Sequence, residues 1–210
     1  MKTPDAPANS KVRRRRQPDL IKAKILEVAL EQFATLGFEG TSMRQIADAA
    51  NTSLSLLSYH FSSKDGLWRA VMQLVFERSR GLRSSDVTQA TATDRLRRWI
   101  ANLVELHAEF PALHRLMTLE CHKLSPRLIW IVENYTGEGY RKLTNLIRDA
   151  QKEGSVRDID PARLRFAIMA MAAVPFSISA EYQLLTKKNP FSRKEIESTI
   201  ELINELVFRQ

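Results

Sequence analysis

The chain has 210 residues, 44% of them hydrophobic and 27% charged, which is long enough to bury a core and typical of a globular protein. Its single cysteine, Cys121, excludes an internal disulfide framework, and no apolar segment reaches the roughly 20 residues that span a bilayer. We therefore expect a cytoplasmic protein with no membrane contact, since no apolar stretch follows the basic N-terminus as it would in a signal peptide.

The net charge of +8 is concentrated at the N-terminus. Residues 1–24 hold eight basic and two acidic side chains, which accounts for +6 of that total. Residues 1–17 are polar and basic, so we predict a disordered arm, whose basic run is Arg13, Arg14, Arg15 and Arg16. Such a concentration favours a polyanion partner, and a merely solvated tail is the alternative.

The first predicted helix begins near Pro18–Asp19 and ends at Gly37, where a C-terminal cap is expected. One apolar stripe recurs along it at helical spacing. This stripe consists of Ile21, Ile25, Val28, Ala29, Phe33 and Leu36.

The segment Thr41–Leu67 predicts two short helices joined by a tight turn, followed by the start of a longer one. Ser42 and Gln45 form a capping-box pattern at the first of these helices. Asn51 suits the turn because its short side chain tolerates the left-handed conformation. Ser53 then caps a helix over about residues 54–60, and Ser62 with Asp65 predicts the start of the longer helix, which ends near residue 83.

The rest of the chain is also predicted to be helical. Capping residues and prolines mark helix starts at Thr93–Asp94, Pro111, Ser125–Pro126, Asp160–Pro161 and Ser192, the last paired with Glu195. The helix from residue 126 to about 152 contains Gly137 and Gly139, which favour a bend, and Pro175 should kink the helix over 161–187. With no alternating strand pattern, the fold class is all-α with about nine helices.

A helix-turn-helix beside a basic arm is typical of proteins that read duplex DNA. The second helix of such a unit lies in the major groove, with its N-terminal residues facing base edges. Serine hydroxyls discriminate bases weakly, whereas Leu54 or Leu56 can contact a thymine methyl group. The predicted contacts of this helix are Ser53, Leu54, Ser55 and Leu56, followed by Ser58, Tyr59 and His60.

Strong base readers are scarce in this second helix, which has no arginine or asparagine. Arg44, on the preceding helix, is the best candidate for a guanine or phosphate contact. The predicted phosphate contacts are Thr41, Ser42, Tyr59, His60 and Lys64, the last near the start of a helix. The alternative is an ordinary helical bundle in which Tyr59 and Phe61 only pack.

As a spaced set, the residues of about 20–70 resemble the N-terminal domain of the TetR (tetracycline-repressor) family. The matching positions are Ile25, Ala29, Phe33, Gly37, Thr41, Ile46, Ala47, Ala50, Ser53, Leu57, Tyr59, Phe61, Lys64 and Leu67. The resemblance implies a homodimeric transcriptional regulator, usually a repressor, and it carries over contacts to Ser42, Arg44, Tyr59, His60 and Lys64. The implied domains are 18–67 for DNA binding and 68–210 for ligand binding and dimerisation.

Two positions depart from the family pattern. Asn51 stands where glycine is common in the turn, which is a mild change given its tolerance of the left-handed conformation. Ser58 stands where the family often has tyrosine, which places one contact in doubt and favours Tyr59 in its stead.

The resemblance also assigns roles to the C-terminal helices, where the match is one of architecture only. Residues 161–187 and 193–208 are placed to form a four-helix dimer interface, with an intramolecular core as the alternative. An effector pocket would be lined by apolar and aromatic side chains with a few polar groups. Its candidates are Trp99, Leu103, His107, His114, Met117, Cys121, Trp130, Tyr135, Tyr140, Met169 and Phe176.

We predict no metal, no cofactor and no enzymatic activity. His107, His114, Cys121 and His122 match no compact zinc spacing, and no glycine-rich phosphate loop or serine elbow is present. Three functions remain open: a repressor released from a pseudo-palindromic operator by a small molecule, a DNA-binding regulator controlled by a protein partner or constitutive, and a helical enzyme with local resemblance. The effector, the operator, the regulated genes and the direction of regulation are not set by the sequence.

Overall fold

The computed structural model describes the backbone of residues 9–81 and 91–209 and the side chains of residues 20–80 and 91–209. The first four helices are α1 (Asn9–Gly40), α2 (Met43–Ala49), α3 (Leu54–Phe61) and α4 (Lys64–Gly81). They are followed by α5 (Ala92–Glu109), α6 (Pro111–Cys121), α7 (Pro126–Ile131), a π-helical turn (Val132–Thr136), α8 (Gly137–Lys152), α9 (Pro161–Ser177), α10 (Ser179–Thr186) and α11 (Arg193–Val207).

The predicted all-α fold class is confirmed. The only β pairing in the described ranges is an isolated antiparallel bridge between Val156 and Phe208. The chain divides into two compact units, Met1–Val75 and Phe76–Gln210, so the division falls within α4, beyond the predicted boundary at residue 67.

The core of the first unit holds α1 to α4 together. The predicted stripe supplies the buried Ile25, Ala29 and Phe33, while its other three members are half-buried or exposed. These residues share the core with buried side chains of the later helices, because each helix turns its apolar face inward. The latter are Ile46, Ala47, Leu57, Phe61, Leu67, Trp68, Val71 and Met72.

Most of the predicted local signals of this unit are confirmed. Gly37 leaves the helical conformation, with φ 72°, and Asn51 adopts the left-handed conformation, with φ 54°. The capping box at α2 is complete, with Ser42 Oγ accepting from the Gln45 backbone N–H and the Gln45 side chain accepting from the Ser42 N–H. The start of α4 is one residue later than predicted, because Ser63, not Ser62, accepts the capping hydrogen bond from the Gly66 N–H at 3.0 Å.

The N-terminal arm differs from the prediction in its backbone. Helix α1 begins at Asn9, so residues 9–17, predicted to be disordered, continue the helix that was expected to start near Pro18–Asp19. Residues 1–8 lie outside the described residues, and so do the side chains of the basic run Arg13, Arg14, Arg15 and Arg16.

The second unit is built around one apolar core from α5, α8, α9 and α11, to which Leu96, Ile100, Ile147, Ile168 and Ile203 each contribute a buried side chain. Glu153, directly after α8, joins the end of that helix to the start of α5. Its carboxylate accepts from the backbone N–H groups of Ala92 and Thr93 at 2.8 and 2.9 Å, which satisfies donors that the first turn of a helix leaves unpaired. The cap of α5 is Thr91, two residues before the predicted start.

Two of the predicted long helices are each divided. The helix over residues 126–152 is interrupted by the π-helical turn directly before Gly137, while Gly139 lies inside α8. The helix over 161–187 breaks at Ile178, where the axes of α9 and α10 differ by 78°. The predicted bend is therefore present, but three residues beyond Pro175. That proline remains inside α9.

The caps at the other C-terminal helices follow the sequence closely. Ser125 and Asp160 accept hydrogen bonds from the third residue of α7 and α9, respectively, with proline at the first helical position of each. Ser192 caps α11 as predicted, but Glu195 does not complete the box. Its carboxylate instead accepts from the Tyr182 hydroxyl at 2.6 Å and pairs with Lys188 at 3.2 Å.

In the ranges 9–81 and 91–209, no single helix is long and apolar enough to cross a membrane. The bent pair α9 and α10 meets that requirement jointly, by length and composition alone.

Candidate nucleic-acid interface

Helix α3 presents one continuous exposed face. Leu57 and Phe61 are buried, whereas Leu54, Ser55, Ser58 and Tyr59 are all exposed. At 3.6 residues per turn, these four lie within an arc of roughly 140°. Tyr59 is 81% exposed and is the most prominent side chain of the face. A rigid helix with one buried and one exposed face has the form of an element that enters a groove.

Local hydrogen bonds fix the start of both motif helices. Ser53 Oγ accepts from the Leu56 N–H at 3.1 Å, and Ser42 Oγ is held within the capping box of α2. A serine cap contributes about 1 kcal/mol to helix stability. Ser42 and Ser53 therefore act first as caps, although both remain exposed for a phosphate contact.

The junction between α3 and α4 depends on a close backbone approach at Gly66. A Cβ atom at Gly66 would lie 2.2 Å from the Phe61 carbonyl oxygen, which is inside contact distance. Ser62, with φ 59°, is the C-cap of α3, and Ser63, the next residue, caps the start of α4. This tight connection sets the position of Lys64 relative to α3.

Lys64 is held at the first position of α4 by an aromatic ring. Its ammonium nitrogen lies 4.3 Å from the centroid of the Phe38 ring, a cation–π contact. Phe38 in turn packs between Phe33 and Trp68, with centroid distances of 6.0 and 6.5 Å. The contact orders a cation beside the backbone N–H groups of a helix start, where an anionic phosphate is favoured.

The sequence predicts a phosphate contact for Thr41, and the burial of this residue contradicts it. Thr41 is 2% exposed, and its hydroxyl donates to the Gly37 and Gln32 carbonyl oxygens at 2.8 and 3.3 Å. The break at Gly37 leaves a carbonyl without a helical partner, and the Thr41 hydroxyl satisfies it. Thr41 therefore closes α1 instead of facing a ligand.

The remaining predicted contacts differ in how freely they are presented. Arg44 is exposed on α2. His60 and Leu56 are half-buried on the other side of α3, and the His60 ring lies between its neighbours Tyr59 and Phe61, with centroid distances of 5.4 and 6.1 Å. Arg44 and Tyr59 are thus exposed and Lys64 is half-buried, and their DNA contacts stay predictions, whereas Leu56 and His60 stand at the margin of the exposed face.

The predicted pocket residues fall into separate groups. Leu103 and Phe176 are buried in the core of the second unit, against which Trp99 and Met169 pack. His107 and His114 lie edge to face at 5.8 Å between ring centroids, and burial lowers the pKa of His114. Met117 is half-buried on α6, and Cys121 is exposed at its end.

A second aromatic group lies at the π-helical turn. The Tyr135 ring stacks on Phe76 at 4.2 Å and meets Trp130 at 5.3 Å between centroids. The π turn inserts an extra residue, and such turns are frequent at functional sites. Phe76 was not among the sequence candidates, because its packing partner is distant along the chain.

Tyr140 stands apart from both groups. The Arg165 guanidinium lies 5.3 Å from its ring centroid and 4.7 Å from that of Phe166, and desolvation lowers the pKa of Arg165. Neighbouring positions on α9 thus carry a half-buried cation and, at Phe166, a ring that is 63% exposed.

Metal binding and thiol chemistry receive no support from the described side chains. No group of three or more histidine, cysteine or acidic residues comes together there with metal-binding geometry. Desolvation, reinforced by the neighbouring Glu120 carboxylate, raises the pKa of Cys121 and disfavours the reactive thiolate.

A capped helix-turn-helix on a helical scaffold defines the class of protein as a DNA-binding regulator. Two family models match this chain. "Bacterial regulatory proteins, tetR family" covers residues 25–71, and "Tetracyclin repressor-like, C-terminal domain" covers residues 89–174. The chain belongs to the TetR family of DNA-binding transcriptional regulators.

Curated relatives resemble most of the chain. The HTH-type transcriptional repressor SCO4008 of Streptomyces coelicolor is 28% identical over 158 residues, which is 75% of this chain and 79% of that protein. The HTH-type transcriptional regulator RutR of Escherichia coli K12 is 29% identical over 71% of this chain and 70% of its own length. The regulatory protein RaaS of Mycobacterium tuberculosis is 33% identical over 57% of each chain.

Solved structures show the same fold. A tetR-family regulatory protein from Rhodococcus RHA1 superposes with a TM-score of 0.71 at 23% identity, over 89% of this chain and 96% of that one. AibR, solved with isovaleryl coenzyme A and operator DNA, superposes with a TM-score of 0.69 at 20% identity, over 90% of this chain and 98% of its own.

Proposed function

We propose that the protein is a homodimeric repressor that binds a pseudo-palindromic operator and is released from it by a small-molecule effector. The observation that carries the proposal is the exposed face of α3, fixed by the Ser53 cap and the Gly66 junction, together with an exposed cation on α2, Arg44, and an ordered cation at the start of α4, Lys64. A helix so fixed loses little conformational entropy when it enters a major groove.

Dimer formation is supported by an apolar stripe on the second unit. Phe166, Ala170 and Val174 of α9 and Ile178, the residue after it, recur every fourth residue and are all exposed, whereas Leu164, Ile168, Ala172 and Phe176 face the core. Leu202 and Leu206 form a second exposed pair on α11. A helix that is apolar on both sides buries the second side against another surface. A second copy of the chain, through residues 161–187 and 193–208, is the proposed partner.

The effector is proposed to bind the second unit and to weaken the affinity for DNA. A protein of this fold, AibR, was solved with both isovaleryl coenzyme A and operator DNA. In this chain, the His107–His114 pair and the Trp130–Tyr135 group provide polar and aromatic side chains of the kind that line small-molecule sites. By linkage, operator DNA weakens effector binding by the same factor.

A regulator without a small-molecule effector is the second candidate. It is favoured by the burial of Leu103 and Phe176, two predicted pocket residues that instead fill the core of the second unit. In that case a protein partner controls DNA binding, or binding is constitutive.

The experiment begins with selection of the genomic fragments that the full-length protein binds. On a selected duplex, Arg44→Ala and Tyr59→Ala should each weaken binding by about 10- to 100-fold, as expected for loss of a major-groove or phosphate contact. Arg141→Ala, an exposed arginine of α8, is the matched control and should bind normally.

Genes beside the selected fragments then indicate effector classes to add to the complex. Release of the duplex by one such compound supports the effector mechanism, and retention with every class supports the second candidate. Unimpaired binding by both Arg44→Ala and Tyr59→Ala would contradict DNA recognition by this interface and leave local resemblance as the explanation.

A further inference from the structure

The exposed face of the recognition helix is short of groups that distinguish bases by hydrogen bonding. Residues 53–61 contain no arginine, lysine, asparagine, glutamine or acidic side chain. The hydroxyls of Ser55, Ser58 and Tyr59 each donate and accept, so they adapt to more than one base edge. Ser53 Oγ is already engaged by the Leu56 N–H. Hydrogen bonds from this face therefore position the helix better than they select a sequence.

The structure separates the two leucines that the sequence left as alternatives. Leu54 lies on the exposed arc in line with Ser58, four residues on, and is 38% exposed. Leu56 is half-buried and lies about 160° from Leu54 around the helix axis, beyond Tyr59 and outside the exposed arc. Only Leu54 is presented together with Ser55, Ser58 and Tyr59.

Leu54 is also the partly covered side chain at the start of this face. It is the first residue of α3, directly after the cap, and it borders the buried side that Leu57 and Phe61 form. The covered part of the leucine restricts its rotamers, and the uncovered part offers methyl groups at the end of the helix that faces base edges.

We propose that Leu54 selects the operator by contacting the 5-methyl group of a thymine in each half-site. The thymine methyl is the one apolar feature of the major-groove edges of unmodified DNA, and a leucine that meets any other base there loses this contact or desolvates a polar group. This inference deepens the proposed function and rests on it, since it requires α3 to lie in the major groove.

The test uses the full-length protein and a duplex chosen by in vitro selection. Each thymine of a half-site is replaced in turn by deoxyuridine, which removes only the methyl group and keeps the base pair. At one thymine position, the replacement should lower the affinity about fourfold. Replacement of the equivalent thymine in both half-sites should lower it about sixteenfold, as expected for one buried methyl group per subunit. The Leu54→Ala variant should bind the thymine duplex and the deoxyuridine duplex equally. The matched Leu56→Ala variant should keep the preference for thymine.

The outcomes separate the two proposals. If no duplex is selected over random DNA, operator binding itself fails. If a duplex is selected but deoxyuridine is tolerated at every position, methyl recognition is overturned. If deoxyuridine is costly and the cost persists in Leu54→Ala, another side chain reads the methyl group and the assignment to Leu54 is overturned. Circular dichroism of both variants excludes loss of folding as the cause.

Discussion

The two units of the chain expose different side chains at the same helical spacing. On α3, the exposed face carries one leucine, two serines and a tyrosine, and the adjoining helices α2 and α4 carry the cations of Arg44 and Lys64. On α9, the exposed positions from Phe166 to Ile178 are apolar throughout. The first surface suits a polar, charged duplex, and the second suits a dry contact with another protein surface. Spacing alone thus reveals a helix, and the residue types on its outer face indicate the partner.

Loss of the apolar stripe should have the largest effect. Phe166→Glu places a charge at the most exposed large side chain of the α9 stripe, so we expect monomers and a fall in operator affinity on the order of 100-fold or more, because two linked half-site contacts become one. Analytical ultracentrifugation and a binding titration measure the two effects. Leu124→Glu, at a leucine that is 83% exposed outside the stripe, is the control. A dimer that survives Phe166→Glu would contradict the interface.

The basic arm should contribute less, and in a way that depends on salt. Replacing Arg13, Arg14, Arg15 and Arg16 by glutamine should reduce the slope of log K against log salt by up to about 3.6 per subunit, if all four contact phosphates. Replacing Arg141, Lys142, Arg148 and Lys152, four exposed basic residues of α8, gives the same change in net charge away from the interface. An equal slope change in both variants would remove the arm from the interface.

The α3–α4 junction provides a comparison of two glycines. Alanine normally stabilises a helix relative to glycine by up to about 1 kcal/mol, and Gly139→Ala should do so because nothing lies within 4 Å of its new Cβ. Gly66→Ala should instead lower the free energy of unfolding by about 1–3 kcal/mol, since its Cβ would meet the Phe61 carbonyl. Urea unfolding of both variants measures the change in the free energy of unfolding, which should rise for Gly139→Ala and fall for Gly66→Ala. A stabilised Gly66→Ala protein would show that the junction relaxes freely.

Loss of the hydrogen bonds that the Glu153 carboxylate accepts at the start of α5 should give the smallest effect on stability, and this effect should disappear in acid. Hydrogen bonds from the Thr93 hydroxyl and from the Ala92 and Thr93 N–H groups lower the pKa of Glu153. A lowered folded-state pKa gives stability above the unfolded-state pKa, near 4.5, which is lost as pH falls through the folded value. Thermal unfolding of Glu153→Gln should therefore differ from the parent chain at pH 7 and converge with it in acid. A constant difference at all pH values would contradict this account.

The sequence predicts those features that depend on neighbours in the chain. The Ser42–Gln45 box and the left-handed Asn51 are set by residues within one turn, and both are found in the structure. The burial of Thr41 was not predicted, because its hydroxyl donates to the Gly37 carbonyl oxygen, which has no partner within the helix once α1 breaks at Gly37. The Phe76–Tyr135 stack escaped for another reason: it joins residues far apart in sequence, through a π-helical turn without a local signature.

We expect two subunits, joined through the second unit, to place two copies of α3 on one operator. The most direct test is to measure the affinity of the full-length protein for a selected duplex before and after one half-site is scrambled. We predict a fall on the order of 100-fold or more, toward non-specific binding, because one recognition helix loses its bases. Equal affinity for the intact and the half-scrambled duplex would contradict the account.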